Sequence, residues 1–363
     1  MGHIIIVEEL AKKVMRKQDV GKNLLLVLSS TLVVLLAVEL IGRVIIPPTN
    51  KIIKYGWAIS ANSQIRKVVE DSPGKLVEIK NKYFDNGFKR WGDVNTGKVK
   101  MLILGDSYTE MNCVSNGEEW YSYLEKKFTD LELFVYGASG YGSLQEYMVL
   151  DDYIDKIKPD LILLQFCEND IVDNLYDLDL LSYPFNNHSS RPYLVNGTIV
   201  YKYPLPFSEL RKSSFILNRI LQIYDKIGFG MATRDLKSYL KQRDVRFNNL
   251  PKKEQSNLKK LKKDAFSVTN KIMAMIKKRA GILPVYFLDI SYPADSRGQK
   301  LCKQNNFNYI PGINESIIAK ENNYYVRIVN DGHWNKLGNK IAGEKIVEYF
   351  NRVGLTKLDP NSK

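Results

Sequence analysis

Residues 99–109 read VKMLILGDSYT, and this stretch decides the fold. Its first six residues form an apolar run of strand length, which predicts a buried strand of a parallel sheet. Further strands of this kind are predicted at residues 131–136, 161–166, 282–288 and 324–328. Because helical patterns alternate with these strands, we expect an α/β fold with a three-layer α/β/α parallel sheet.

Polar residues and glycines follow the predicted strands, and we expect them at one edge of the sheet. Ser107 comes directly after the first strand, Gly140 follows the second and Asn169 follows the third. His333 lies in the sequence NDGHWN, just before a predicted closing helix, with Asp331 two residues earlier. Active sites of parallel sheets gather at the carboxyl ends of the strands. The pattern therefore predicts a nucleophile, a base and hydrogen-bond donors that converge on one site.

With these four blocks in this order, the chain resembles the SGNH/GDSL hydrolase superfamily, over residues 99–350 apart from an unmatched insertion. The resemblance implies a flavodoxin-like fold in which Ser107 is the nucleophile and His333 is its general base. It also implies an oxyanion hole formed by the backbone N–H groups of Ser107 and Gly140 and by the side-chain amide of Asn169. Such donors stabilise the charge that develops in acyl transfer.

Two positions depart from the usual pattern of this family. The third block usually begins with glycine, and Cys167 stands there. The last block is usually Asp-x-x-His, but Asn330 lies three residues before His333. The sequence Asp-Gly-His-Trp resembles the Asp-x-His-Trp of polysaccharide O-acetyltransferases. We therefore assign Asp331 as the residue that orients the histidine.

The N-terminal part of the chain has the composition of a membrane anchor. Residues 24–46 are predominantly apolar and carry no charge except at Glu39 and Arg43, and a stretch of this length can cross a bilayer. These two charged residues are four positions apart and can form a pair on one helical face. Several lysines and arginines precede the span, which favours a cytoplasmic N-terminus and a catalytic part outside the cytoplasm, in the periplasm or the extracellular space.

The expected organisation has five parts, which are a cytoplasmic tail, a transmembrane anchor, a stalk or lead-in, the hydrolase domain and a C-terminal tail. Their predicted bounds are 1–22, 23–47, 48–97, 98–353 and 354–363. An insertion at about 174–280 lies between two strands of the hydrolase domain. Its second half has apolar residues at helical spacing, from Leu258 to Met275, and we expect the insertion to form a cap beside the site.

Composition narrows the possible ligands. The chain carries a formal charge of +13, concentrated between Arg234 and Arg279, where a basic face could meet solvent, anionic lipid or acidic polysaccharide. Nothing resembles a nucleic-acid-binding module, so we expect no nucleic acid as partner. The three cysteines lack the spacing of a disulfide framework or of a metal site, so we expect neither metal nor cofactor.

These features favour a serine ester hydrolase that is anchored in a membrane. Its expected substrate is an ester or an acylated carbohydrate, which the enzyme deacylates. An O-acyltransferase that modifies a cell-surface polysaccharide could use the same residues, and exclusion of water would favour transfer. A carbohydrate-binding protein on a degenerate hydrolase fold is the third interpretation.

Overall fold

The computed structural model describes residues 2–45, 54–182, 189–205, 207–232, 252–291 and 296–355. The chain divides into two compact units. One contains residues 1–51 and 207–227, and the other contains residues 52–206 and 228–363. Of the predicted C-terminal tail, residues 356–363 lie outside the described part.

The larger unit is built on a six-stranded sheet with two hairpins beside it. Ten strands are described: β1 Gln64–Ser72, β2 Lys75–Lys82, β3 Arg90–Trp91, β4 Val99–Gly105, β5 Leu131–Gly137, β6 Leu161–Phe166, β7 Arg191–Val195, β8 Thr198–Lys202, β9 Val285–Asp289 and β10 Asn308–Tyr309. The main sheet has the order β10-β9-β6-β4-β5-β3. Its strands are parallel except β3, which pairs antiparallel with β5.

Helices cover both faces of this sheet. The described helices are α1 Gly2–Ile45, α2 Ser107–Glu110, α3 Ser122–Lys127, α4 Ser143–Ile157, α5 Asn169–Asp173, α6 Tyr176–Leu181, α7 Ser208–Ser213, α8 Phe215–Ala232, α9 Lys252–Ala280, α10 Ser296–Gln304, α11 Ile313–Glu321 and α12 Lys336–Val353. One apolar core lies between the sheet and α4, α9 and α10. A second core lies between the opposite face and α3, α11 and α12. The predicted three-layer α/β/α fold is therefore confirmed.

The apolar runs located four of the five predicted strands, and the fifth prediction was wrong. The run at 161–166 is a strand with the predicted bounds, while that at 282–288 begins three residues later, at Val285. The described residues 324–328 form no strand, and the β-bridge described for them is an isolated one between Arg327 and Trp334. The fifth parallel strand is instead the two-residue β10, which pairs with β9.

Two segments have a different part in the fold from the one that we expected. The range 48–97, expected as a stalk or lead-in, contains the hairpin β1–β2 and the edge strand β3 of the main sheet. The predicted helix in the second half of the insertion is present as α9. Its residues Leu258, Ala265 and Ile272 are buried in the first core. Because parallel strands need a crossover connection, α9 supplies the helix between β6 and β9 rather than a cap.

In the smaller unit, α1 is the dominant element. Its part Lys22–Ile45 is long and apolar enough to cross a membrane, and its apolar side chains are exposed. The expected pair is present, with Arg43 Nε 2.7 Å from Glu39 Oε1. The predicted tail, from Gly2 onward, belongs to the same helix, and the last residues of the predicted span, 46 and 47, lie outside the described residues.

Glu146 of α4 is an acid buried in the larger unit. It is 1% exposed, and neither of its carboxyl oxygens has a hydrogen-bond partner among the residues that the structure describes. Burial raises the pKa of Glu146, and the nearby charge of Asp106 raises it further. The folded state therefore holds the proton of Glu146 at a pH where the unfolded chain has lost it. This stabilisation is complete at low pH and is lost as the pH rises.

Glu146→Gln removes this ionisable group while keeping nearly the same shape. The native chain loses stability through this group as the pH rises, so we expect the free energy of unfolding of the variant to increase relative to that of the native chain between pH 5 and pH 8. Denaturant unfolding of both chains in detergent, at the two pH values, measures this change. Asp152→Asn, at a carboxylate that pairs with Lys54 near the surface, is the control. A pH-independent difference between the Glu146 variant and the native chain would contradict the prediction.

Candidate active site

The nucleophile candidate lies at the carboxyl end of β4. Ser107 is the first residue of α2, and Asp106 caps that helix by accepting a 2.9 Å hydrogen bond from the backbone N–H of Tyr108. The backbone N–H of Asp106 donates to Gln165 Oε1 at 3.0 Å, which ties the turn to β6. A short turn held on both sides therefore presents the Ser107 hydroxyl at the edge of the sheet.

The structure brings Ser107, His333 and Asp331 together in one hydrogen-bonded chain. His333 Nε2 lies 2.7 Å from Ser107 Oγ, and His333 Nδ1 is hydrogen-bonded to Asp331 Oδ1. With Nδ1–H donating to the carboxylate, Nε2 is free to accept the serine proton. Burial raises the pKa of Asp331, but the hydrogen bonds and charge of His333 outweigh it, so the net shift is downward. Asp331 is thus held as the anion.

The short spacing between acid and base is made possible by the backbone of this loop. Asn330 and Gly332 both have left-handed conformations, with φ of +59° and +90°. Glycine adopts such a conformation without the penalty that a Cβ imposes. These two turns reverse the chain around Asp331, so its carboxylate reaches the imidazole from only two residues away. The departure from Asp-x-x-His at Asn330 therefore leaves the acid in place.

Three other side chains hold the histidine loop, and the sequence analysis missed them. Tyr108 Oη donates to the carbonyl of Gly332 at 3.1 Å. Arg327 Nη1 donates to the same carbonyl at 2.8 Å and to Tyr108 Oη at 3.2 Å. Cys113 Sγ lies 3.8 Å from Asp331 Oδ2, the oxygen that His333 Nδ1 does not use. Tyr108, the residue next to Ser107, thus holds the loop that carries His333.

The hairpin β1–β2 supports the loop from outside. The backbone N–H of Val329 donates to the carbonyl of Glu70 at 2.9 Å. Asn335, just after the loop, donates through Nδ2 to the carbonyl of Asp71 at 3.0 Å. The segment that the sequence analysis treated as a lead-in therefore helps to build the site.

Gly140, the predicted oxyanion donor of the second block, lies in a turn with φ of +76°. The turn is fixed by Glu110, which is 3% exposed and ends the helix that Ser107 begins. Glu110 Oε2 accepts hydrogen bonds from the backbone N–H of Ser139, at 2.7 Å, and from its hydroxyl. Glu110 Oε1 accepts a third from Tyr83 Oη at 3.0 Å. One buried carboxylate therefore joins the helix of the nucleophile to the turn of Gly140.

Asn169, the donor candidate of the third block, begins α5 beside the nucleophile turn. Its side chain donates to Asp173 Oδ2 at 3.2 Å and is also hydrogen-bonded to Asp106. Asp173 in turn pairs with the buried Arg191 at 3.4 Å. Cys167, which replaces the usual glycine, is absent from the described residues with positive φ. The backbone there does not require glycine, so this departure carries no conformational penalty.

A metal ion could be held by one group of described residues at this site. The donor atoms of Cys113, Asp331 and His333 lie within 4.8 Å of one another. Burial, followed by the charge of Asp331, raises the pKa of the Cys113 thiol to about 12. A protonated thiol is a weak metal ligand but a competent hydrogen-bond donor, so the geometry suits an S–H that orients Asp331.

Comparisons with known proteins were made by sequence and by structure. No family model and no curated protein sequence matches the chain. A similar solved structure is a member of the lipolytic G-D-S-L family from Veillonella parvula, 12% identical, covering 70% of this chain and 99% of that one, with a TM-score of 0.37. The psychrotrophic esterase EstA from Pseudoalteromonas sp. is 12% identical, with coverages of 70% and 98% and a TM-score of 0.38.

An acetylxylan esterase from Geobacillus stearothermophilus is also similar in structure. It is 10% identical, covering 70% of this chain and 94% of that one, with a TM-score of 0.36. All three structures are only distantly similar to this chain, with sequence identities of 10–12%.

Glu110→Gln tests the link between the nucleophile helix and the Gly140 turn. A glutamine amide offers one acceptor oxygen where the carboxylate offers two, so a buried donor of Ser139 or Tyr83 loses its partner. We expect the free energy of unfolding to fall by about 1–3 kcal/mol. We also expect the rate of labelling by a fluorophosphonate, which reacts with activated serines, to fall about tenfold or more, because the turn of Gly140, the predicted oxyanion donor, moves away from Ser107, the predicted nucleophile.

Glu118→Gln is the matched control, because its carboxylate pairs with the exposed Lys336 at the surface. An exposed pair contributes little, so both the stability and the labelling rate should stay near their native values. Native labelling by the Glu110 variant would show that this carboxylate does not position the turn.

Proposed function

We propose that this chain is a serine ester hydrolase of the SGNH/GDSL type, with Ser107 as nucleophile, His333 as general base and Asp331 as the orienting acid. The observation that carries the proposal is the hydrogen-bonded chain from Ser107 Oγ through His333 to Asp331. A serine hydroxyl is a poor nucleophile until a base takes its proton, and this arrangement provides that base.

In the first half of the reaction, Ser107 Oγ attacks the ester carbonyl carbon while its proton passes to His333 Nε2. The carbonyl electron pair moves to oxygen, and Asp331 stabilises the imidazolium that forms. The tetrahedral intermediate then collapses, and the departing alkoxide takes the proton from His333. In the second half, water attacks the acyl-enzyme with His333 again as base, which releases the acid and restores Ser107.

The oxyanion is stabilised by the backbone N–H groups of Ser107 and Gly140 and by the amide of Asn169. Asn169 bonds to Asp173 and Asp106 in the structure, so one of its hydrogens must turn toward the oxyanion. The ion pair between Arg191 and Asp173 holds the other partner in place. Each such donor is worth roughly 3 kcal/mol of transition-state stabilisation in hydrolases of this kind.

The location follows from the same proposal. The segment Lys22–Ile45 anchors the chain in a membrane, and the basic residues before it keep the N-terminus in the cytoplasm. The catalytic unit then lies outside the cytoplasm, in the periplasm or the extracellular space, where an ester or an acylated carbohydrate of the cell surface is within reach.

Ser107→Ala tests the reaction in the full chain in detergent. We expect labelling by a fluorophosphonate to disappear and hydrolysis of an activated acetyl ester to fall by about 10⁴-fold or more. Ser60→Ala, at an exposed serine, is the control and should behave as the native chain does.

Labelling and hydrolysis that persist in the Ser107 variant would overturn the proposal. A native chain that neither labels nor hydrolyses would favour the binding protein considered from the sequence. Adding an oligosaccharide acceptor separates the remaining candidates. Free acid as the sole product supports hydrolysis, whereas acetylated sugar would reassign the enzyme as an acyltransferase.

A further inference from the structure

The charged residues within the apolar span form a junction between two helices of the smaller unit. Glu39 of α1 accepts hydrogen bonds from the backbone N–H groups of Phe215, at 2.7 Å, and Ile216, at 3.0 Å. It also accepts one from Ser214 Oγ at 3.0 Å. The two backbone N–H groups lie at the start of α8, where a helix has no internal acceptors for them. An acid of the anchor helix therefore accepts hydrogen bonds from the first turn of a second helix.

Two neighbours of Glu39 complete this junction. Arg43 pairs with Glu39 and donates to the backbone carbonyl of Ser213, the last residue of α7. Gly42 lies against the ring of Phe215, and a Cβ placed on it would come within 2.3 Å of Phe215 Cδ1. The anchor thus has an acid, a base and a residue without a side chain at the positions that α8 contacts.

The helix α8 is amphipathic, with a polar face and an apolar face on opposite sides. At 100° per residue, Asn218 and Gln222 share one face. The opposite face carries apolar and aromatic residues, and its described members are Ile216, Leu217, Ile220, Ile223 and Tyr224. Within that face, Ile220, Ile223 and Tyr224 are 57%, 60% and 65% exposed. A contiguous apolar surface of this kind marks an interaction site.

The junction lies near one end of the segment that can cross a membrane. Glu39 is six residues before Ile45, where α1 ends, which corresponds to about 9 Å along the helix axis. The polar groups of the junction are therefore placed close to the boundary between hydrocarbon and water. The exposed apolar side chains of α8 belong to the same compact unit as those of α1, which the proposed membrane anchor places in lipid.

We propose that α8 is a second membrane element, which lies in the outer interfacial layer of the bilayer with its apolar face on the acyl chains. Glu39, Arg43 and Gly42 hold its first turn at this depth. The proposal rests on the membrane anchor of the proposed function, and it is independent of the ester chemistry. An amphipathic helix with isoleucines and a tyrosine on its apolar face has the composition of such interfacial helices.

Spin labels on single cysteines in the full chain, reconstituted in phosphatidylcholine vesicles, test this proposal. Label positions are introduced as Ile223→Cys on the apolar face, Gln222→Cys on the polar face and Leu35→Cys in the anchor. Accessibility to oxygen, which concentrates in lipid, is compared with accessibility to a water-soluble nickel chelate. The native chain, labelled in parallel, gives the background from its own cysteines at 113, 167 and 302.

We expect the ratio of oxygen to nickel accessibility at position 223 to exceed that at 222 by about fivefold or more, with a high ratio at 35 as well. A high ratio at 35 with equal ratios at 222 and 223 overturns the placement of α8 and leaves the anchor intact. Low accessibility to both reagents at 223 also overturns it, because a second copy or another part of the chain then covers the face. A low ratio at 35 removes the anchor and this proposal with it.

Discussion

The 2.7 Å contact between Ser107 Oγ and His333 Nε2 joins two residues that are 226 positions apart, and everything that we infer about chemistry depends on it. Ser107 follows β4, which is hydrogen-bonded to β5 on one side and to β6 on the other. These two neighbours fix the position of the carboxyl end of β4. His333 is placed by α12, because Asn339 of that helix donates to the carbonyl of Trp334 and accepts from the backbone N–H of Trp120. The contact therefore requires the sheet and the helix layer packed on it to form together.

Much of this could be predicted from the sequence because it depends on local pattern. Apolar runs located β4, β5 and β6, and the rule that parallel strands align their carboxyl ends predicted that Ser107 and His333 would meet. The stretch 324–328 has strand-like composition, but the backbone N–H of its last residue, Ile328, donates to the carbonyl of His333, and that of the next residue, Val329, donates to the carbonyl of Glu70. The composition of a segment indicates its preference for a strand, but whether the strand forms depends on which backbone groups lie beside it in the folded molecule.

The supporting residues could not be predicted because their roles depend on contacts between distant segments. Glu110 reads as an ordinary polar residue after the nucleophile, and its function depends on Ser139 and Tyr83. Arg327 acquires its role only when its guanidinium reaches Tyr108 and the carbonyl of Gly332. One partial signal was present. Acids and arginines are rarely buried unless they are paired. A Glu in the short turn that follows Ser107 therefore indicates polar partners from other segments.

Cys167 and Asn330, which differ from the pattern that the sequence resembles, show that a motif position can be constrained in two ways. A motif position is constrained either by side-chain chemistry or by backbone conformation. Cys167 is not among the described residues with positive φ, so the backbone at that position does not require glycine. Asn330 has no carboxylate, and Asp331, one residue along, is hydrogen-bonded to His333 Nδ1, with the left-handed Gly332 in the turn between them. The constraint on the site is thus the position of a carboxylate beside His333 Nδ1, and the chain can satisfy it with more than one spacing.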